Sequence, residues 1–448
     1  MKRLFQIAFR NLIQSRQRTA LLGFAFCIVS LLLVLLLSLS QGVSQTMRDS
    51  ATILVSGHVN VAGFYKAKAD DSFPLVTRVP EIEALVKEHL GDQLNYLVIR
   101  QRGWGKIISS NNRIQVSIHG VEIEKEPGLL TRLIPAPENT YKENGTEEVK
   151  GNIDDLKERN TIALFSGQAK KLEVGIGDLI TMTTESLSGR VNTKDVRVVS
   201  ILKDVGFMSN WTVFTHAGSL KDLYQLGPKT AGALMIYLKD INDAEAAMEG
   251  LRKVLASAGH ELMAFDPNPF WRKFNIVAGE DWTGQKLDLT LWENEVSFLK
   301  WAIKGLDGVS FLLITILLVI IAIGIINTML MSVRERTREI GSLRAIGMHR
   351  RQVLLMFLFE ALILGLASTT FGCLLGALLA TTLNAAQLTI PSHAVQAVLL
   401  SETLHLVVDP RQLLQTIGLF TLFAVTASII PASRAARMEP VKAIHHIG

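Results

Sequence analysis

Side chains able to do chemistry are scattered in this chain, and their spacing excludes most reaction types. His58, His89, His119, His216 and His260 show none of the i, i+4 pairing that a helical metal site requires, and no nucleophile, base and orienting group can be nominated together. The stretch Gly279 to Lys286, GEDWTGQK, has the outline of a phosphate loop. Gln285 stands where the lysine must reach the phosphates, however, and no Ser or Thr follows to hold Mg²⁺. Cys27 and Cys373 lie inside apolar runs and can build neither a disulfide framework nor a metal cluster. The expectation is a chain with no catalytic, cofactor-binding or metal site of its own. Two features remain. Glu360 is an acid near the start of an apolar stretch, either functional at depth or interfacial beside Arg350 and Arg351. Residues 332–352, SVRERTREIGSLRAIGMHRRQ, place Arg and Glu at helical spacing without a proline.

The elements that must position these residues are membrane spans. The 448-residue chain is 48% hydrophobic and only 19% charged, which predicts a mixed membrane and soluble architecture. Its net charge of +5 comes from basic residues beside apolar runs, a topology signal that argues against a nucleic-acid surface. Residues 308–331 contain no ionisable side chain and are long enough to cross about 30 Å of hydrocarbon. Spans are likewise expected at 20–42, 353–383 and 412–431. The first is longer than the apolar region of a signal peptide and ends in SLSQGVSQ without a small-residue cleavage site, so it reads as retained. Residues 1–19 form an interfacial helix with Leu4, Ile7, Ala8 and Leu12 on one face.

Between the first and second spans, residues 43–307 have the composition of a soluble domain. Strands alternating with helices predict an α+β fold in two lobes. LVSGHVNVAG, NYLVIRQRGWGKII, IQVSIHGVEI, DVRVVSILKD and GALMIYLKD read as strands, and VPEIEALVKEHL as a helix stopped by Gly91. Residues 135–160 read as a mobile surface loop. Trp292, Val296, Leu299, Ile303 and Leu306 draw one apolar stripe, either a stalk helix packed on Val43, Met47, Ala51 and Leu54 or part of the domain core. Trp271 and Trp282 serve core packing or an apolar ligand surface. In the third span Ser368, Gly372, Gly376 and Ala380 recur every four residues, a pattern that lets helices approach closely in lipid. The fold class expected is an integral membrane protein: four transmembrane α-helices, with a large α+β domain inserted between the first and second.

Loop charges set the orientation. Residues 1–19 carry five basic and no acidic residues, and residues 332–352 carry six arginines against Glu335 and Glu339. The 432–448 tail is also basic, so both termini and the 332–352 helix belong inside, with the 43–307 domain and the 384–411 connection outside.

NTMLMSVRERTREIGSLRAIGMHRRQV and the terminal PASRAARMEPVKAI resemble the MacB/FtsX-like permeases of ABC transporters, the mechanotransmission group that includes lipoprotein-release permeases. SGHVNV after the first span is similar to an early domain strand of that family, and one span, a large domain and three further spans is its layout. The resemblance implies residence in a bacterial inner membrane. It also implies a separate cytoplasmic ATPase dimer that binds ATP and Mg²⁺, since no Walker motif is present here, and a second permease chain, identical or different. Glu335, Arg336, Arg338, Glu339, Ile340, Leu343, Arg344 and Gly347 would form the helix that docks into the ATPase, with Ile340, Leu343 and Ile346 as its apolar anchor. The implied function is ATP-driven movement of the exterior domain for export or extraction of a lipoprotein, lipid or hydrophobic molecule. The alternative is regulation of an exterior cell-wall hydrolase without transport. An exterior carrier, adaptor or hydrolase is the further partner, beside membrane lipid. TESLSGRVNTK, where lipoprotein-release permeases extend a carrier-binding hook, is short and lacks proline.

Overall fold

A computed structural model describes residues 2–68, 72–186, 189–386, 390 and 405–438. The chain forms two compact units: Met1–Gln45, Ile303–Thr389 and Thr403–Gly448 make one, and Thr46–Ala302 with Ile390–Glu402 the other. Helix α1 (Lys2–Gln14) leads into α2 (Arg16–Ala51), which ends in a wide π-helical turn over Thr52–Ser56. The predicted strand LVSGHVNVAG therefore begins later than its apolar residues imply, at Val59.

The large unit is one sheet of ten strands. It contains β1 (Val59–Lys66), β2 (Phe73–Pro74), α3 (Val79–Leu90), β3 (Leu94–Ile108), β4 (Arg113–Val121) and α4 (Pro127–Arg132). There follow β5 (Thr161–Phe165), α5 (Ser166–Leu172), β6 (Leu179–Glu185), β7 (Val191–Leu202), β8 (Thr212–His216) and α6 (Ala217–Tyr224). The last part holds β9 (Ala233–Leu238), α7 (Ala244–Ser257), α8 (Phe274–Ala278), β10 (Gly284–Leu291) and α9 (Trp292–Glu295). Strand order is β10-β1-β9-β3-β4-β8-β5-β7-β6, and β6 pairs back on β3. The long β3 is thus shared. Leu94–Arg100 pairs with β9, while Gln101–Ile108 pairs with β4 and, at its end, β6. Its second half joins a six-stranded closure around Ile107, Val116, Ile162, Met182 and Val198, which removes the open edges a flat sheet would present. Its first half belongs to an open lobe covered by α3 and α7, with Ile82, Val86, Leu251 and Leu255 packed on Val59, Leu234 and Leu289.

The expected two α+β lobes are present, and two local expectations, the 135–160 loop and the stripe from Trp292, are corrected. Residues 135–160 are pinned to the domain: Pro135 bridges Leu202, Gly151 bridges Ser200, and Ala136, Tyr141, Ile153 and Leu156 are buried. Lys142, Lys150 and Thr146 all donate to Glu138 within this segment. The phosphate-loop look-alike leads into β10, where a helix would be required. The apolar stripe from Trp292 does not lie on one helix, because Val296 leaves helical geometry (φ −115°, ψ 42°) between α9 and the next helix.

After that break, α10 (Ser297–Glu335) is followed by α11 (Thr337–Ala345), α12 (Arg350–Ala385) and α13 (Pro410–Arg437). Four described helical stretches are long and apolar enough to cross a membrane, Thr19–Ser56, Ile303–Glu335, Arg350–Ala385 and Pro410–Arg437. Their outward faces carry Leu21, Phe24, Phe311, Ile320, Leu374 and Leu422, exposed apolar side chains that suit lipid and not water. This is a multi-pass membrane protein. Most of the 384–411 connection and the tail from 439 lie outside the described residues.

Candidate functional site

The basic segment after α10 folds as a short helix set off by two changes of backbone direction. At its start Arg336 (φ −100°, ψ 15°) separates α10 from α11. At its end Gly347 takes φ +111°, and the Gly347 and Met348 amides donate to Arg344 O (3.1 Å) and Leu343 O (3.0 Å). This is a Schellman cap, whose left-handed residue favours glycine. Gly347 thus shapes the segment.

The helix has two faces. Glu335, Arg338, Glu339, Ser342 and Ile346 are exposed, at spacings of 3, 1, 3 and 4 that place them along one side, and Ile346 is 86% exposed. Ile340 is buried in the bundle against Val333, Val353, Phe357 and Ala435. Ile340, expected to present an apolar anchor to a partner, is instead covered by the bundle, and Ile346 is the exposed one of the three apolar residues named for that role. Leu343 is half-buried, and the Arg344 guanidinium donates to Met438 O, tying α11 to the end of α13.

Arg336 also turns inward. Its Nη1 donates to Glu360 Oε1 at 3.0 Å, its Nη2 to Asn11 O at 3.2 Å, and Asn11 Nδ2 donates to the same Glu360 oxygen at 2.7 Å. The Arg336 and Glu360 side chains are 13% and 5% exposed. A carboxylate this buried requires such partners. One node therefore joins α1, the α10–α11 junction and α12, and Phe5 packs edge-on against Phe359 beside it. Glu360 is thus enclosed by protein partners. Asn11 was absent from the expected site, although it falls on the helical face of Ala8 and Leu12, where a polar residue calls for a partner.

Farther along α12, the small-residue stripe meets α2. A Cβ added at Gly372 would lie 2.1 Å from Ser30 Oγ and 2.4 Å from Cys27 O, and one at Gly376 would lie 3.0 Å from Val34 Cβ. Ser368 sits opposite Gly23, and Ala380 is fully buried. All four expected packing positions lie along this side of α12.

The sequence from α10 to the tail has a recognisable counterpart: residues 311–440 match the FtsX-like permease C-terminal domain. The chain carries an FtsX-like permease domain. An ABC transporter permease of Methanocaldococcus jannaschii, itself uncharacterised, is 24% identical over 389 residues, covering 84% of each chain. The lipoprotein-releasing system transmembrane protein LolC of Haemophilus influenzae is 26% identical over 284 residues, 62% of each chain. The macrolide export ATP-binding/permease protein MacB of Bdellovibrio bacteriovorus is 32% identical over 131 residues, 29% of this chain and 18% of that one. The FtsX-like permease domain thus contains the α11 face, the Arg336–Glu360 pair and α12.

Ahead of the permease domain, the Thr46–Ala302 unit holds two further arrangements. In the first, the carbonyls of the wide turn ending α2 receive side-chain donors from the sheet, Thr52 O in addition to the Gly57 amide (2.7 Å). Tyr237 Oη donates to Thr52 O (3.0 Å), Arg100 to Ile53 O (3.1 Å) and Leu54 O (2.8 Å), and Arg102 to Val55 O (2.8 Å). Arg100 is fully buried and also pairs with Glu126. Burial opposes its charge, but the Glu126 carboxylate outweighs that and raises the guanidinium above its ordinary pKa.

The second is a cleft of about 730 Å³ beside the crossover of β3 between lobes, lined by Trp104, His119, Trp211, Tyr224, Phe270 and Trp271 among others. Of the tryptophans weighed from sequence, Trp271 stands in this cleft, 63% exposed. Trp282 instead packs against the Phe64 and Phe270 cluster under Lys66 and Lys286. Trp104 and Trp211 were not singled out, because pairing of β3 with β4 and of β4 with β8 brings them together. The stalk positions divide: Trp292 lies under Arg48 (5.8 Å), Val296 is buried, Ile303 and Leu306 are half-buried on α10, and the Leu299 side chain lies outside those described. Two of the histidines cap local structure. His58 Nδ1 accepts from Leu238 N and His216 Nδ1 from Gly218 N.

Proposed function

We propose that this chain is the non-catalytic permease subunit of an ATP-driven complex, in which a separate cytoplasmic ATPase dimer docks on α11 of two permease chains. The observation that carries this reading is the outward face of Glu335, Arg338, Glu339, Ser342 and Ile346 directly above the buried Arg336–Glu360 pair. Charged groups of both signs around one exposed isoleucine suit a protein partner better than lipid, and topology alone requires no glutamates. A push on this face would reach α1 and α12 through Arg336, and the continuous helix α10 leads from the junction toward the domain. The domain faces the exterior in this reading, both termini and α11 face the cytoplasm, and the work is done on an amphipathic cargo. The β6–β7 connection is a plain hairpin, Glu185 opposite Val191, which supports direct handling of cargo over recruitment of a carrier by an extended hook.

The test is co-purification of the tagged full chain from its native membrane. The wild type should retain an ABC ATPase subunit identified by mass spectrometry, with ATP turnover above that of the ATPase alone. Glu335→Arg together with Arg338→Glu should lower both at least tenfold while leaving the amount of folded permease unchanged. Undiminished association would sink the docking assignment.

A further inference from the structure

The cleft is built unlike the rest of the domain surface. Trp104 and Trp211 are 48% and 47% exposed and lie nearly parallel, ring centroids 6.5 Å apart and planes 15° from each other. Trp271 faces the same concavity, with Phe73 and Phe274 beside it. Indoles are large apolar groups, and three of them left half in solvent around one hollow form a surface that gains by being covered. Its size falls in the range of small-ligand pockets, about 300–1,000 Å³.

The acidic and basic side chains of the cleft are Arg102, His119, Glu185 and Glu295. Arg102 uses only Nη2 on protein acceptors, Val55 O and Asn60 Oδ1 (3.0 Å); among the described residues nothing accepts from its Nε or Nη1. Burial draws its guanidinium down to about 10, against the opposing pull of the nearby Glu295 carboxylate, which makes no ion pair with it. The neighbouring acid Glu295 is already engaged by Thr290 Oγ1 (2.6 Å) and the Phe270 amide (3.3 Å). His119 is held well below its ordinary pKa by burial and by Arg100 and Arg102, and its Nδ1 has no hydrogen-bond partner. Glu185, exposed at the rim, is the remaining acid. A cationic ligand head would meet Arg102; an acidic one would complete it.

We propose that this cleft binds an amphiphile with an apolar body and a single acidic head, the head at Arg102 and the body against Trp104, Trp211 and Trp271. Arg102 also holds Val55 O at the end of α2, so the residue that receives the head grips the helix leaving the first span. That this amphiphile is the cargo rests on the permease reading; that it binds does not.

The experiment uses the full chain in lipid nanodiscs without any ATPase. The probes are a benzophenone-bearing fatty acid and the corresponding alcohol, with labelled peptides mapped after irradiation. The acid should label peptides containing Trp104, Trp211 or Trp271, oleate should compete, and oleyl alcohol should not. Trp104→Ala with Trp271→Ala should cut that labelling at least fivefold, and Arg102→Gln should cut it for the acid but not for the alcohol. Because Arg102 also supports the α2 turn, competition in the wild-type chain decides if that variant does not fold. Labelling confined to the membrane helices, or equal labelling and competition by acid and alcohol, overturns the proposal. Either result leaves the ATPase-docking test untouched, and failure of that test leaves this one standing.

Discussion

The Arg336–Glu360 pair shows how a single residue can be recognised as unusual from sequence while its partners stay hidden. From sequence, Glu360 lies near Arg350 and Arg351, and an interfacial position follows. The structure pairs it with Arg336 and Asn11 because α1 covers this part of α12, a contact 349 residues apart in sequence that no local pattern records. Arg336 misled for the same reason: it belongs to a run of exposed charges, and only the backbone turn at its own position aims it inward. Removing one member of a buried ion pair leaves the other charge desolvated, at a cost of about 3–5 kcal/mol, whereas replacing both by apolar residues is often far milder. Glu360→Met or Arg336→Met should therefore each lower the thermal midpoint of the detergent-purified full chain more than Glu360→Met with Arg336→Met does. If the double variant instead loses the sum of the two single losses, the residues are not energetically paired.

Elements were legible wherever a period carried them. The α3 helix, strands β3 and β4 and the four spans all follow from apolar spacing, as does the stripe on α12. Elements held by distant partners were not legible: β8 is short, and the partners of β8 and β10 lie far along the chain. Residues 135–160 are polar on average yet place four buried apolar side chains at irregular intervals, which a composition argument reads as loop. The α12 stripe also proves uneven. At both glycines two of the three nearest atoms to an added Cβ are backbone, but at Gly372 the contacts begin at 2.1 Å and at Gly376 only at 3.0 Å, where a few tenths of an ångström of give would suffice. Overpacking of this kind costs roughly 1–3 kcal/mol. Gly372→Ala should lower the thermal midpoint of the full chain clearly more than Gly376→Ala, although sequence spacing makes the two equivalent. Equal losses would mean that α2 and α12 do not meet at this register.

On the scale of the whole molecule, the open quantity is which side of the membrane each unit faces, and charge decides it. Five basic residues precede the first span, and six arginines lie between the second and third, so both flanks should stay on the cytoplasmic side. An odd number of spans then separates α11 from the large domain, which must lie outside. Two exposed positions report on this: Lys171 on α5 and Ser342 on α11. The native Cys27 and Cys373 are buried in helices and give little background. With a membrane-impermeant maleimide, the Lys171→Cys chain should react in intact cells, and the Ser342→Cys chain only after the membrane is opened. The reverse pattern would place the α11 face beyond reach of any cytoplasmic ATPase and remove the proposed function, whereas labelling of both in intact cells would mean that the bundle does not close against solvent.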